Sequence, residues 1–118
     1  MLHAISVDVE DWYQSTIDES APLSDRFEVS TMRVLEALAA KGVKGTFFVL
    51  GLAAEKSPRT VRRIAEAGHE VQSHGYGHRS NFELDEAAVR ADLQRNKKLL
   101  EDMVGAEVTG YRAPCFTR

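Results

Sequence analysis

The sequence lacks most features that would place it in a specialised class of protein. It has a single cysteine, Cys115, so no internal disulfide framework is expected. No apolar run approaches the length that spans a membrane, so membrane insertion is not expected. The net charge is -3 at pH 7, which argues against nucleic acid or an anionic membrane as the main partner. These features indicate a soluble, globular domain whose main partner is neither nucleic acid nor an anionic membrane.

The N-terminal stretch MLHAISVDVED does not resemble a signal peptide, because acidic residues follow the start too soon. We therefore expect a cytoplasmic protein, and a membrane-adjacent site of action stays open. Repeats, low-complexity tracts and linkers are not evident. With 118 residues, the chain is long enough for one domain with a modest core.

What the sequence does contain is an alternation of short apolar runs and amphipathic segments. The apolar runs predict strands over 2–8, 43–50, 69–73 and 107–112. Helices are predicted over 31–41, 58–67 and 85–103, with Ser30 capping the first, Pro58 opening the second, and Gly42 and Gly68 ending these two. The order β-α-β-α-β-α-β predicts an α/β protein whose parallel strands form a sheet or a barrel.

Two histidines, His74 and His78, stand four residues apart in the stretch SHGYGHRS. On a helix they would share one face, but Gly75 and Gly77 would each destabilise a helix by roughly 1 kcal/mol relative to alanine. We therefore predict a loop that carries both imidazoles away from the third strand.

Other reactive side chains follow other predicted strands. The first strand leads into Asp8, Glu10 and Asp11, and the fourth ends at Arg112. Active-site groups of such folds gather at the carboxyl ends of the parallel strands, so these residues should meet the histidines at one rim. Two neutral imidazoles and one carboxylate, with positions left for water, are a typical catalytic metal set for Zn²⁺ or another divalent ion.

These motifs, in this order, resemble those of the polysaccharide deacetylases of the NodB-homology group, also called carbohydrate esterase family 4. The resemblance is carried by SVDVED at 6–11, HGYGH at 74–78 and RAP at 112–114, with GTFFVLG at 45–51 and AGHEVQSHGYGH at 67–78 resembling connecting segments. The form SVDVEDWYQ resembles the subgroup associated with bacterial exopolysaccharide and exosortase loci.

The resemblance implies a divalent metal, expected to be Zn²⁺ with Co²⁺ or Mn²⁺ as alternatives. His74, His78 and one acid would hold it. Because the usual adjacent pair of aspartates is replaced by DVED here, the acid is Glu10 or Asp11. Strand alternation points Asp8 and Glu10 to the same side, which favours Glu10.

The resemblance also implies a reaction, the removal of N-acetyl groups from the amino sugars of a bacterial polysaccharide through a metal-bound water. Asp8 would take the proton of that water, and Arg112 would pair with Asp8 and orient it. The backbone N–H of Cys115 would stabilise the oxyanion. Trp12 and Tyr76 could stack on sugar rings of the N-acetylated glycan.

The family's fold is a distorted (β/α) barrel of about seven strands, and barrels of this type need ~200 residues or more. Residues 1–118 are therefore interpreted as the N-terminal part of a single NodB-homology domain, with roughly four parallel strands. No histidine follows His78 to act as the family's general acid, so we expect these residues to hold the metal ligands but to deacetylate poorly. Open sheet edges would favour a homo-oligomer.

Two other classes of function stay open. One is a catalytically inactive, metal-containing carbohydrate-binding protein. The other is a structural α/β protein in which the residues at the rim only cap helices or strands and form salt bridges. Metal analysis separates the structural protein from the other two, and acetate release separates the enzyme from the binding protein. His3 and His69 lie at strand starts, on the opposite rim, and are expected to be structural.

Overall fold

A three-stranded parallel sheet forms the centre of the computed structural model, which describes residues 1–118. Its strands are β1 (Ser6–Val9), β2 (Thr46–Val49) and β3 (Glu70–Ser73), in the spatial order β1-β2-β3. Val9 pairs with Val49, which pairs in turn with Ser73, so the three carboxyl ends finish level at one edge. The predicted α/β class with parallel strands is confirmed.

Four α-helices accompany the sheet: α1 (Arg26–Lys41), α2 (Gly51–Lys56), α3 (Pro58–Glu66) and α4 (Glu86–Val104). A π-helical turn (Tyr13–Ile17) follows β1, and a 3₁₀ turn (Pro114–Phe116) lies near the C-terminus. None of the helices is both long enough and apolar enough to cross a membrane.

Helix α1 begins at Arg26 rather than after Ser30, so the predicted start of this helix is wrong. The buried face begins a turn earlier than the apolar pattern indicates, because Phe27 and Thr31 are both buried. The predicted end is confirmed, since Gly42 adopts the left-handed conformation (φ 63°) that favours glycine at a helix terminus.

Helix α2 is not predicted by the sequence pattern, because its small apolar residues follow β2 directly and continue the same apolar run. Ala53 and Ala54 are fully buried, so this short helix is part of the core. Helix α3 then starts at Pro58, at the position predicted for it.

The predicted fourth strand over 107–112 does not form, and the sheet has three strands where four are expected. Only an isolated bridge joins this segment to β3, where Ser73 N–H donates to the Gly110 carbonyl (3.0 Å) and Arg112 N–H donates to the Ser73 carbonyl (2.9 Å). Upstream of this bridge, the side chain of Gln72 accepts a hydrogen bond from Gly110 N–H at 2.5 Å. The buried side chain of Gln72 thus accepts hydrogen bonds that a neighbouring strand would accept in a sheet. The alternation of apolar residues in the sequence does not predict this side-chain contact.

The core lies between the sheet and its helices, and α4 packs against both β3 and α3. Its fourteen buried hydrophobic residues are Val9, Phe27, Leu35, Leu38, Phe47, Val49, Leu50, Ala53, Ala54, Val61, Ile64, Val71, Leu100 and Val108. This packing fixes the carboxyl edge of the sheet, where the candidate site lies.

Candidate metal centre

The segment after β3 turns sharply and brings two imidazoles together. We call residues 74–78 the histidine loop. Gly75 and His78 both have positive φ angles, 81° and 52°, a conformation that is common for glycine and unusual for histidine. The side chains of His74 and His78 are buried, and their ring centroids lie 5.2 Å apart in an edge-on arrangement. The loop therefore holds both rings in one place, away from solvent.

Glu10, just beyond the end of β1, meets both histidines. Its Oε2 atom lies 3.3 Å from Nε2 of His74 and 2.8 Å from Nε2 of His78. One ligand atom from each of the three residues lies within 4.8 Å of the others, the spacing of a group that could hold a metal ion. The structure thus brings together both predicted histidines and one of the two candidate acids.

The hydrogen bond at Nδ1 of His74 determines which ring nitrogen faces Glu10. Nδ1 of His74 lies 2.7 Å from the carbonyl oxygen of Arg112, and a carbonyl can only accept, so Nδ1 carries the hydrogen. Nε2 is then the nitrogen that faces the Glu10 oxygen, a common arrangement for metal-binding histidines.

A carboxylate oxygen and imidazole nitrogens that face each other are stabilised by a proton or a metal cation between them. Oε2 of Glu10 is buried, and although His78 is close, no well-directed hydrogen-bond donor reaches this oxygen. A carboxylate oxygen and imidazole nitrogens are ligands that Zn²⁺ and related divalent ions accept. The residues present therefore fit a divalent metal ion.

Glu10 and His78 each shift the pKa of the other toward the charged form. Burial raises the pKa of Glu10, but the adjacent imidazoles of His74 and His78 outweigh burial and lower it to about 2. Burial lowers the pKa of His78, and the Glu10 carboxylate outweighs this effect, so that the pKa lies above its usual value. Glu10 is therefore ionised near neutral pH and ready to bind a cation.

Asp11, the alternative acid, is directed elsewhere. Its buried carboxylate accepts hydrogen bonds from Ser24 N–H (2.5 Å) and Tyr13 N–H (3.3 Å). These bonds tie the turn after β1 to the segment before α1. Asp11 is not among the three grouped ligands, and its hydrogen bonds give it a local structural role, while the choice of Glu10 over Asp11 as the metal ligand stays a prediction.

Asp8 and Arg112, the predicted base and its partner, are in contact. Nη1 of Arg112 donates to Oδ1 of Asp8 at 2.8 Å, Nη2 donates to Oγ of Ser6 at 2.7 Å, and the guanidinium lies 4.2 Å from the ring centroid of Phe48. The other carboxylate oxygen, Oδ2 of Asp8, lies 3.9 Å from Nε2 of His74. One oxygen of Asp8 is thus fixed by the arginine while the other faces the grouped ligands.

Cys115 lies in the turn that follows Arg112. Its thiol is free and exposed, and Cys115 and Phe116 both have positive φ angles, 52° and 54°. The hydrogen bonds of this turn run from Phe116 N–H to the Ala113 carbonyl and from Thr117 N–H to the Pro114 carbonyl, and neither uses the N–H of Cys115. The role of this N–H in binding an oxyanion stays a prediction.

The two aromatic residues singled out in the sequence differ in their surroundings. Trp12 is 62% exposed and lines a cleft of about 390 Å³ that reaches Glu10. Tyr76 is instead packed against Arg95, whose guanidinium lies 3.5 Å from the ring centroid, and its hydroxyl donates to Glu55 at 2.7 Å. Only Trp12 is open to a sugar ring.

The sequence patterns did not identify two residues of α4, Asp92 and Asn96, which form hydrogen bonds to the histidine loop and to Ser73 just before it. Asn96 is fully buried at a position that continues the apolar stripe between Leu93 and Leu100. A polar residue in a core position of an amphipathic helix is the signal that could have identified it. Asp92 gives no such signal, because it resembles any half-exposed acid on a helix.

Comparison with known proteins shows the family to which the chain belongs. Residues 12–116 match the family described as "Polysaccharide deacetylase". The chain is 34% identical over 84 residues to a peptidoglycan-N-acetylglucosamine deacetylase of Bacillus cereus, a match covering 71% of this chain and 30% of that protein. It is 36% identical over 87 residues to a chitooligosaccharide deacetylase of Sinorhizobium fredii, covering 73% of this chain and 40% of that protein.

The crystal structure of the Bc1960 peptidoglycan N-acetylglucosamine deacetylase has the same fold, with a TM-score of 0.79 and 27% identity over 98% of this chain and 47% of that one. The three parallel strands and their helices match part of the (β/α)-barrel fold of these deacetylases. The chain spans about 30% to 40% of the length of the two curated relatives described.

Proposed function

This chain belongs to the polysaccharide deacetylase family, and from that membership we propose that it provides the metal centre and the general base of an enzyme that removes N-acetyl groups from the amino sugars of a bacterial polysaccharide. The observation that carries the proposal is the convergence of Glu10, His74 and His78 on one point beside Asp8. The relatives support an N-acetylated amino sugar as the reacting unit.

Glu10, His74 and His78 would hold the metal. When bound there, a divalent ion such as Zn²⁺ supplies Lewis acidity toward the acetyl carbonyl and toward the attacking water. The hydrogen bond from His74 Nδ1 to the Arg112 carbonyl keeps Nε2 available as a ligand. We propose Zn²⁺ as the ion, with Co²⁺ and Mn²⁺ as alternatives, because the donor set of two imidazoles and a carboxylate suits all three.

Asp8 is proposed as the general base. Its Oδ1 atom is held by Arg112, so Oδ2, on the side of the grouped ligands, is the oxygen available to accept a proton from the attacking water. Arg112 acts by fixing the orientation of this carboxylate, and its stacking on Phe48 and its bond to Ser6 hold the guanidinium in turn.

The remaining groups would bind the substrate. The backbone N–H of Cys115 is proposed to donate to the oxyanion that develops from the acetyl carbonyl. Trp12 is proposed to stack on a sugar ring in the cleft beside Glu10. The motif SVDVEDWYQ supports an exopolysaccharide as the particular glycan, through its resemblance to the exosortase-associated subgroup.

Acetate release from an N-acetylglucosamine oligomer tests the proposal. The full-length protein is stripped with EDTA and reloaded with Zn²⁺, Co²⁺ or Mn²⁺, and acetate is measured for the wild type and for Asp8→Asn. We expect metal-dependent acetate release that the substitution removes. Binding of both metal and oligomer without acetate release would instead establish the inactive carbohydrate-binding protein.

A further inference from the structure

Main-chain hydrogen bonds join the histidine loop to the first residues of α2. Gly51 N–H donates to the Gly75 carbonyl at 2.9 Å, and Leu52 N–H donates to the Tyr76 carbonyl at 3.0 Å. A Cβ atom added at Gly51 would lie 2.3 Å from Cδ2 of Tyr76, so loop and helix are in direct contact. These bonds use the carbonyl groups of Gly75 and Tyr76, so the N–H groups of the same residues donate to other acceptors.

Helix α4 supplies one of those partners. Oδ2 of Asp92 accepts a hydrogen bond from Tyr76 N–H at 2.9 Å. The same oxygen lies 3.0 Å from the place where a Cβ atom would stand on Gly75, so the contact is close. A larger residue at position 75 would need Asp92 to move. The loop conformation and this carboxylate therefore depend on each other.

One turn along the same helix, Asn96 holds the beginning of the loop. Its Nδ2 atom donates to Oγ of Ser73 at 2.8 Å and to the Val49 carbonyl at 3.0 Å. The Ser73 hydroxyl in turn accepts from Gly75 N–H at 3.1 Å, and the Val49 carbonyl accepts from His74 N–H at 3.1 Å. Asn96 is thus joined, through two shared partners, to the backbone of a ligand residue and of the residue after it.

We infer that Asp92 and Asn96 are positioning residues of the metal centre, which hold the histidine loop in the one conformation that directs His74 and His78 to Glu10. The inference rests on the proposed metal centre. Its physical basis is that a ligand residue of the loop, His78, has a positive φ, and for a residue other than glycine this conformation persists only when surrounding contacts determine it. Polar groups behind metal ligands commonly affect metal affinity by about 10- to 100-fold.

Three variants of α4 test the inference through Zn²⁺ affinity, measured by isothermal titration calorimetry of the full-length protein. Asp92→Ala removes the acceptor for Tyr76 N–H and should weaken Zn²⁺ binding about tenfold. Asp92→Asn keeps an oxygen that can accept this bond and should restore affinity to within about twofold of the wild type. Asp102→Ala, the matched control, removes an exposed aspartate of the same helix and should leave affinity unchanged.

A second measurement needs no metal. Amide hydrogen exchange in the metal-free protein should be faster for Tyr76 in Asp92→Ala and normal in Asp92→Asn and Asp102→Ala. Ser73→Ala reports on the Asn96 connection without placing a new side chain in the core, and it should speed the exchange of Gly75 and weaken Zn²⁺ binding. Thermal midpoints of all four variants show that the folds are intact.

Three results would overturn the inference. Wild-type Zn²⁺ affinity in both Asp92→Ala and Ser73→Ala would show that the loop does not depend on these contacts. Equal weakening in Asp92→Asn and Asp92→Ala would show an effect of charge rather than of the hydrogen bond. Failure of the wild-type protein to bind Zn²⁺ would overturn the proposed metal centre itself, and with it the inference.

Discussion

Arg112 donates a hydrogen bond of 2.8 Å to Asp8, joining two residues 104 positions apart in the sequence. The carbonyl of the same arginine accepts a hydrogen bond from Nδ1 of His74. One residue therefore fixes the orientation of the proposed base with its side chain and that of a proposed metal ligand with its backbone. This shared attachment places the two functions at a constant distance from each other.

The first prediction separates the two acids after β1. Glu10→Gln and His74→Ala should each abolish measurable Zn²⁺ binding in calorimetry while leaving the thermal midpoint of the metal-free protein within a few degrees of the wild type. Asp11→Asn should do the opposite: Zn²⁺ binding stays, and the free energy of unfolding falls by about 1–3 kcal/mol, because one of two N–H groups loses its acceptor. Loss of Zn²⁺ binding in Asp11→Asn without loss of stability would reverse the assignment.

The second prediction concerns Asp8. Asp8→Asn should leave Zn²⁺ affinity within a few-fold of the wild type, because Asp8 is not among the three grouped ligands. Acetate release from an N-acetylglucosamine oligomer should fall by about 100-fold or more, in the range usual for loss of a general base. If the substitution removes metal and activity together, Asp8 is a ligand rather than the base.

The third prediction uses the geometry of the guanidinium. Arg112→Lys keeps the positive charge, but one ammonium group cannot donate to Asp8 and Ser6 while stacking on Phe48 as the planar fork does. We expect the rate of acetate release to fall at least tenfold, with Zn²⁺ affinity little changed because the backbone carbonyl at this position is retained. Wild-type rates in Arg112→Lys would show that charge alone is sufficient.

The fourth prediction concerns Gln72, whose side chain accepts hydrogen bonds from the segment that was predicted as a fourth strand. Gln72→Leu leaves the N–H groups of Thr109 and Gly110 without their acceptor, so the free energy of unfolding should fall by about 1–3 kcal/mol for each group that stays buried. The exposed Gln94 provides the matched control, and Gln94→Leu should change stability by less than about 0.5 kcal/mol. Urea denaturation measures both, and equal effects would contradict the role given to Gln72.

The fifth prediction is a pH dependence of stability away from the metal centre. Burial and the nearby Lys44 ammonium lower the pKa of His69, whose Nδ1 accepts a hydrogen bond from Gly45 N–H. Because the unfolded chain then binds more protons than the folded one below about pH 6.5, this residue should destabilise the protein as the pH falls. The slope cannot exceed about 1.4 kcal/mol per pH unit for one group.

His69→Asn is the control for this pH dependence, because an asparagine oxygen can accept the same hydrogen bond without titrating. Urea denaturation in EDTA at pH 7.5, 6.5 and 5.5 should show the wild type losing stability relative to His69→Asn as the pH is lowered. A constant difference between the two proteins over this range would contradict the prediction.

Local sequence patterns predicted much of the fold. The parallel order of the strands follows from the alternation of strands and helices. Gly42 ends α1 and Pro58 begins α3, as expected, and His74 and His78 lie just past the end of β3. The alternation of side chains along a strand also favoured Glu10 over Asp11. Each of these features depends on residues within a few positions of one another, so the sequence reveals it directly.

The remaining features depend on contacts between distant segments. The sequence alone does not show that the carboxylate of Asp11 accepts a hydrogen bond from Ser24, thirteen residues away. Along the segment 107–112, the side chain of Gln72 accepts hydrogen bonds from the backbone where a strand was predicted. Asn96 reaches Ser73 because α4 packs against β3. The sequence determined which chemical groups lie at the carboxyl edge of the sheet. The tertiary structure alone decided which of them meet, because a polar group takes whichever partner the packing of the core brings within hydrogen-bond distance.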